Sequence, residues 1–511
     1  MSDSINPRSP CIVGTARHTW NDEHATPEPL EMWHEVSRAA AVDAVVGSTA
    51  SSRDVLNAVD DIGLVHCQSW YYDDPPLRLA QRLDTLTARR EESILAGTSP
   101  QRLCDAAAAR MLAGETSVAL VVGGEALGAR RVFDRGGIAP GWSYPHPHPP
   151  MFPVDLHEWY LPTEIAHGVL PAWLTFALLE QARWAERGAT AIDRDRMGAV
   201  MDRLNAVASE NPDAWFPQRH EAGVIATPTR ANRMVATPYT KLMTAFLDVD
   251  MAAANLMVTH EVADQWGVPP ERRVYLRGWG FARDEVHIAA RNELGSSPAM
   301  RSATTEAFGR AGLSIDDVDV FDLYSCFPSA VQFATDALGI DEHDPRALSV
   351  TGGLPYHGGP GSNYMGHSIS HMVDRLRLGD ACTGMVTGVG MHMTKHVAGI
   401  WSTTPGPIAV GTDHGPQRWG QPDGRAGLAE EPPARAIAER ADGPATLAAA
   451  TVVRNTASSE PYVAAICDLS DDVRCYARSD RADLIEAVVS DRWAQAPVHV
   501  KFNGTTNELI L

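Results

Sequence analysis

Paired cysteine is missing from this sequence. The seven cysteines, Cys11, Cys67, Cys104, Cys326, Cys382, Cys467 and Cys475, are odd in number, widely scattered and without a C-x-x-C pair. This spacing argues against a disulfide framework and against a zinc site. Basic charge is also scarce: 43 Lys plus Arg stand against 64 Asp plus Glu, a net charge of −21. A nucleic-acid partner is therefore not expected, because a phosphate backbone needs a basic counter-surface. The nearest basic runs, "ARR" at 129–131 and "RLRLGD" at 375–380, are short and diluted. Long apolar runs are absent too. No stretch approaches the roughly 18 residues of a membrane span, and "MSDSINPRSPCIVGTARHTW" has no basic-then-apolar signal region, so no membrane partner and a cytoplasmic location are expected.

What is present is material for large cores. A chain of 511 residues with 44% hydrophobic and 21% charged residues should divide into two or more domains. A strand candidate, "CIVGTAR" at 11–17, precedes the amphipathic spacing of "PLEMWHEVSRAAAVDAVV" at 29–46. "DIGLVHCQSW" reads as a buried strand and "LRLAQRLDTL" as a helix. A turn "AGTSP" at 96–100, a helix at 101–114 and a strand "VALVVGG" at 118–124 complete the pattern. Such alternation predicts an α/β fold with parallel pairing and crossover helices.

Residues 130–231 change texture. "APGWSYPHPHPPMFPVDLHEWYLP" is too proline-rich for core structure, and a helix follows at 171–188, so this segment reads as an inserted loop domain. The alternation resumes over 232–401 and carries an internal repeat. "AGETSVALVVGGEA" (113–126) and "LGDACTGMVTGVGM" (378–391) share a helix-ending Gly-acid pair, and a glycine closes the following strand in both, at Gly123 and Gly388. Each copy lies downstream of a small-residue turn, "AGTSP" or "GGPGSNY", which suggests a duplicated, layered fold. Residues 402–435 have linker composition. Over 436–511, five short β-rich runs and the helix "RADLIEAVVSD" fit a small barrel of the OB (oligonucleotide/oligosaccharide-binding) shape.

Three motifs in order resemble the thiolase superfamily over about 10–400. "AGLSIDDVDVFDLYSCFPSAV" (311–331) is similar to its strand-and-loop with an Asn-Glu-Ala-Phe or His-Asp-Cys-Phe tetrad. "TGGLPYHGGPGSNY" (351–364) is similar to its Gly-His-Pro loop, and "MVTGVGM" (385–391) to its Cys-x-Gly turn. The resemblance implies a duplicated α-β-α-β-α fold with an inserted loop domain (domains 1–129, 130–231 and 232–401), followed here by the linker and the barrel. It also implies a coenzyme A thioester as substrate, no covalently bound cofactor, and a homodimer or monomer. Family chemistry passes an acyl group through a cysteine at a helix N-terminus, with a second cysteine and a histidine moving protons.

Carried over residue by residue, that chemistry loses its parts. The nucleophile's position falls on Gly97, or on Thr98 if the register slips by one. Gly359 stands where the histidine belongs, and the Cys-x-Gly position lies within Val386 to Gly388. Tyr324-Ser325-Cys326-Phe327 takes the tetrad's place and puts a phenol at an oxyanion-donor position. The candidate catalytic residues are accordingly Tyr324, His357 and His367, with Gly97, Ser99, Cys326, Gly359 and Gly388 shaping the substrate site and no metal. Cys326 also reads as a small buried hydrophobe. His357 and His367 read equally as satisfied structural histidines, as do His371, His392 and His396. "HPHP" at 146–149 fits an extended packing segment, and Lys241 either meets a coenzyme A phosphate or is solvated. The expected function is acetyl-coenzyme A acetyltransferase-like chemistry on an acyl-coenzyme A thioester, by acyl transfer or carbon–carbon bond chemistry, without a cysteine intermediate. A retro-aldol lyase acting on a β-hydroxyacyl thioester and a non-catalytic acyl-coenzyme A binder remain as alternatives.

Overall fold

The computed structural model describes residues 5–21, 26–150, 159–188, 193–341, 343–408, 433–454, 460–490 and 493–510. Nine strands form one mixed sheet: β1 (Pro10–Thr19), β2 (Asp61–Leu64), β3 (Arg89–Glu92), β4 (Val118–Ala126), β5 (Asp250–Thr259), β6 (Val274–Arg283), β7 (Val320–Asp322), β8 (Thr383–Gly390) and β9 (Lys395–Ser402). Their spatial order is β3-β2-β4-β5-β1-β6-β9-β8-β7. Parallel pairing holds for β2 with β3, β2 with β4 and β7 with β8. Every other pairing in this sheet is antiparallel, so the expected parallel pairing holds for the outer strands and not for the middle of the sheet. The β8–β9 pair shows why: a tight turn follows Gly390, and a hairpin can only pair antiparallel.

The order reads the same outward from its centre. β1 matches β6, β5 matches β9, β4 matches β8 and β2 matches β7, in both direction and neighbours. The halves meet at only two residue pairs, Cys11 with Tyr275 and Ile12 with Val274, so the duplication seen in the sequence is a pseudo-twofold in the structure. Helix α1 (Pro29–Ala44) packs on β1, and its counterpart α4 (Pro298–Ala311) packs on β6. Both contacts depend on glycine. A β-carbon on Gly14 would overlap the Ala40 carbonyl, and one on Gly278 would overlap the Ala307 carbonyl.

Two further helices fill the space between the half-sheets. α2 (Ser99–Ala113) and α6 (Tyr364–Arg377) are buried around most of their circumference, as central-layer helices must be. α2 meets both halves, with Leu103 against Gly63 of β2 and Gln101 against Gly399 of β9. α6 does the same: Met372 lies against Gly384 of β8, while Asn255 of β5 donates from Nδ2 to the Gly366 carbonyl at 3.1 Å.

Helix α3 (Ala172–Glu186) lies between α2 and α4 in the chain, and α5 (Pro328–Leu338) follows β7. The predicted C-terminal runs form β10 (Gly443–Val453), β11 (Tyr462–Ser470), β12 (Val473–Ser479), β13 (Pro497–Phe502) and β14 (Asn507–Ile510), with helix α7 (Ala482–Val489). Pairing runs β10-β11-β12-β14-β13 and returns to β10, which closes a five-stranded barrel. The barrel is joined to the rest of the chain through Val453 paired with Ala236 of the short strand Met234–Ala236, and through Trp493 Nε1 donating to Gln181 Oε1 at 3.1 Å. Of the predicted linker, residues 409–432 lie outside the described residues.

The pseudo-symmetric glycines give a direct test. Gly14→Ala and Gly278→Ala should each cost about 1–3 kcal/mol through overpacking. Gly309→Ala, at an exposed α4 position with nothing within 4 Å of its added β-carbon, should stabilise by about 1 kcal/mol. Urea denaturation of the three variants measures both effects.

Candidate functional site

The site forms where α2 begins. Pro100 fixes the first turn, and Thr98 occupies the N-cap without a side-chain capping bond. Ser99 Oγ donates to the Ile94 carbonyl at 2.8 Å, so this hydroxyl ties the loop together. The N–H groups of Gly97 and Thr98 make no hydrogen bond among the described residues. They are the unsatisfied donors of a helix start, in the positive end of its dipole.

Gly97 is enclosed from two sides. The Tyr324 hydroxyl and the Val389 carbonyl both lie well inside van der Waals contact of any β-carbon built there, and the Gly97 carbonyl lies 3.3 Å from one built on Gly388. Three residues that the motifs placed together, Gly97, Tyr324 and Gly388, are thus neighbours in space. Tyr324 is positioned through its backbone, its N–H donating to Thr387 Oγ1 at 2.9 Å. Its hydroxyl has no hydrogen-bond partner among the described residues. Burial pushes the phenol pKa far up, so it remains a proton donor.

Tyr364 stands behind Tyr324, ring edge to ring face at 5.4 Å and 87°. Its hydroxyl donates to Asp322 at 3.2 Å and lies 2.6 Å from Thr351 Oγ1. The Asp322 carboxylate also receives Ser368 Oγ (2.8 Å), Ser349 Oγ (3.0 Å), Thr351 Oγ1 (3.0 Å) and the N–H groups of Val350 (2.9 Å) and Thr351 (3.0 Å). Burial raises the pKa of this carboxylate in spite of those donors. Sequence reasoning missed Tyr364 and Asp322. The available signal was an acid two residues before the tetrad and a tyrosine closing the glycine-rich run.

His357, His367 and His371 form a cluster beside Tyr364. His357 is 6.1 Å from the Tyr364 ring and 5.3 Å from the rings of both His367 and His371. Asn211 Nδ2 lies 3.4 Å from His357 Nδ1 and 3.4 Å from His371 Nε2. His371 Nε2 is 3.7 Å from Asp213, which is held by Arg17 at 2.6 Å. His357 Nε2 and both ring nitrogens of His367 are buried without a hydrogen bond. Burial, reinforced by Arg17, drives the His357 pKa down to about 3 and those of His367 and His371 well below their usual range. This cluster is neutral.

Of the remaining candidates, Cys326 lies within electrostatic reach of Tyr324. Gly359 donates its N–H to the Phe246 carbonyl at 2.8 Å, on a wall facing Leu247. Burial raises the Cys326 thiol pKa far above its usual range, which removes its nucleophilic form. Both His392 nitrogens have partners, Tyr160 at 2.7 Å and Thr175 at 2.8 Å. His396 lies against Asp284 at 3.1 Å, and Lys241 is exposed on a short 3-10 helix. Among the described residues no group of three His, Cys, Asp or Glu side chains could hold a metal ion.

No family model matches the chain. The monomeric SCP2-thiolase like protein type 1 from Mycobacterium smegmatis superposes on it with a TM-score of 0.81 and 29% identity, covering 99% of this chain and 100% of that one. The chain has a thiolase-like fold. An acetyl-CoA acetyltransferase of Methanothermobacter thermautotrophicus is 25% identical to the chain over 272 residues, 50% of the chain and 67% of the relative. The acetyl-CoA acetyltransferase from Syntrophomonas wolfei shares the fold, with a TM-score of 0.52 and 16% identity over 78% of this chain and 100% of that one.

The histidine cluster has a pH signature. An unfolded histidine titrates near 6.5 and folded His357 near 3, so folding selects the neutral ring. Its contribution to stability is complete above pH 6.5 and is lost as pH falls toward 3, at about 1.4 kcal/mol per pH unit. Urea midpoints recorded from pH 7.5 to 5 should therefore fall. His357→Phe should flatten the slope.

Proposed function

We propose that this protein binds an acyl-coenzyme A thioester and polarises its carbonyl with the Tyr324 hydroxyl and the Gly97 and Thr98 N–H groups, without an acyl-enzyme at position 97. One observation carries the reading: the unbonded Tyr324 hydroxyl occupies the space into which a side chain at 97 would project. A hydrogen-bond donor has taken the volume of a nucleophile. Donors aimed at a developing oxyanion are among the largest contributors to catalysis, and the start of α2 adds its dipole. The acetyl-CoA acetyltransferase relative supports a thioester as ligand.

The same observation favours a carbon–carbon lyase as the second reading. In a retro-aldol step the β-hydroxyl proton goes to a base and the carbon–carbon bond breaks. The electron pair enters the thioester carbonyl to give an enolate, which is then reprotonated. That sequence needs an oxyanion donor and no thiol.

The test is calorimetry with a coenzyme A thioester, followed by turnover of acetoacetyl- and β-hydroxyacyl-coenzyme A. Binding should be detectable, and Tyr324→Phe should lower kcat/KM by about 10²-fold. Gly97→Cys should give no acyl adduct by intact mass, because Tyr324 and Val389 leave the thiol no room. Absence of binding sinks both enzyme readings. Full activity in Tyr324→Phe removes the tyrosine from the mechanism.

A further inference from the structure

The turn between β8 and β9 is strained and sits directly on the site. Met391 and Met393 both have left-handed backbone conformations, with φ of 55° and 52°. Side chains adopt these at a cost of about 1–3 kcal/mol each, so they persist only where surrounding contacts over-determine them. The turn begins one residue after the Val389 carbonyl that faces Gly97. A β-carbon on Gly390 would lie 3.2 Å from Ala96. Any shift of the turn moves the Val389 carbonyl that faces Gly97.

Two chains of buried contacts hold the turn, and both end in the C-terminal barrel. In the first, Arg291 donates from Nη2 to the His392 carbonyl at 2.9 Å and to Thr394 Oγ1 at 3.2 Å. The carbonyl of Arg291 in turn accepts Arg474 Nη1 of β12 at 2.5 Å, and Arg474 is itself oriented by Asp468 at 2.8 Å. In the second, the His392 ring is held by Tyr160 and Thr175. One residue beyond Tyr160, the Leu161 N–H donates to Glu164 at 2.9 Å. Glu164 lies 2.8 Å from His287 and receives the Tyr476 hydroxyl of β12 at 2.6 Å, while the Ala289 N–H donates to that same hydroxyl at 3.2 Å. Arg291, Arg474 and Tyr476 are all almost fully buried. Charged and phenolic groups are rarely buried so completely unless their partners are fixed.

We propose that the barrel is a positioning part of the thioester site: Arg474 and Tyr476 act through Arg291 and Glu164 to hold the Met391–Met393 turn, and with it the wall around Gly97. This rests on the reading that the Gly97–Tyr324 contact marks the working site. The two residues are positioning residues, since their contacts are with Arg291, Asp468, Glu164 and Ala289.

The experiment uses the full-length chain labelled with [methyl-13C]methionine. Arg474→Met and Tyr476→Phe should shift or broaden the Met391 and Met393 methyl resonances. Met32, in the separate core around α1, should keep its chemical shift, and the melting temperature should stay within a few degrees. Arg474→Lys, which keeps a donor, should restore the signals in part. Where thioester turnover is measurable, kcat should fall about tenfold with KM nearly unchanged, as expected for a displaced wall. Unchanged Met391 and Met393 resonances in both variants overturn the proposal, and so do changes spread equally to Met32. The resonances decide the matter even if no coenzyme A thioester binds, so failure of the functional reading and failure of this inference remain distinguishable.

Discussion

Asp322 is a fully buried carboxylate at the end of β7, and the loop around the site folds onto it. Six donors reach its two oxygens from the 349–351 segment and from the first turns of α6. A buried charge is tolerated only when its lone pairs are met in this way, and removing it would strand those donors at about 1–3 kcal/mol each. Two consequences follow for the site. The 349–353 chain is bent back against β7, and the Tyr364 hydroxyl is drawn toward Asp322. The Tyr364 ring then has Tyr324 at 5.4 Å and His357 at 6.1 Å as neighbours.

The pseudo-twofold shows how one duplicated unit yields a single site. Matching Gly114 to Gly379 pairs Gly97 with Ser362 and Ala119 with Gly384; since Asp61 lies opposite Ala119 and Val320 opposite Gly384, strand register then pairs Val65 with Tyr324 and Cys67 with Cys326. The two helix starts are tied to each other's halves: the Ala96 N–H donates to Ser362 Oγ at 3.0 Å, and Asn363 Nδ2 donates to the Gly123 carbonyl at 2.7 Å. In the first copy, Val65 fills the space over Gly123 together with Asn363. In the second, the matching residue is a tyrosine whose hydroxyl faces a helix start with free N–H groups. The asymmetry between the copies comes from a few side chains on a shared backbone plan.

The sequence made some of this legible and hid the rest for a physical reason. Motifs rich in glycine and proline encode backbone shape, so Gly97, Tyr324 and Gly388 could be placed together by alignment of turns. The barrel strands were readable from short apolar runs between turn residues. Side-chain clusters leave no such trace. That His357, His367 and His371 come together depends on backbone at Gly352, Gly353, Gly358 and Gly361 that is left-handed. No local pattern states which way such a loop turns. Strand direction was likewise hidden, since a buried run reads the same in parallel and antiparallel sheets, and the buried arginine joining barrel to turn has no motif at all.

The volume that a side chain at 97 would need is not empty. It is taken by the Val389 carbonyl and by a phenol that burial keeps protonated and that has no hydrogen-bond partner among the described residues. A group with those properties is poor as a nucleophile and well suited to donate one hydrogen bond to an incoming carbonyl oxygen, next to two N–H groups that lack acceptors. On the proposed reading, the geometry that leaves a thiol at 97 no room still offers donors to a thioester carbonyl. The donors in this arrangement come from both halves of the fold, so their alignment depends on every contact that fixes one half against the other.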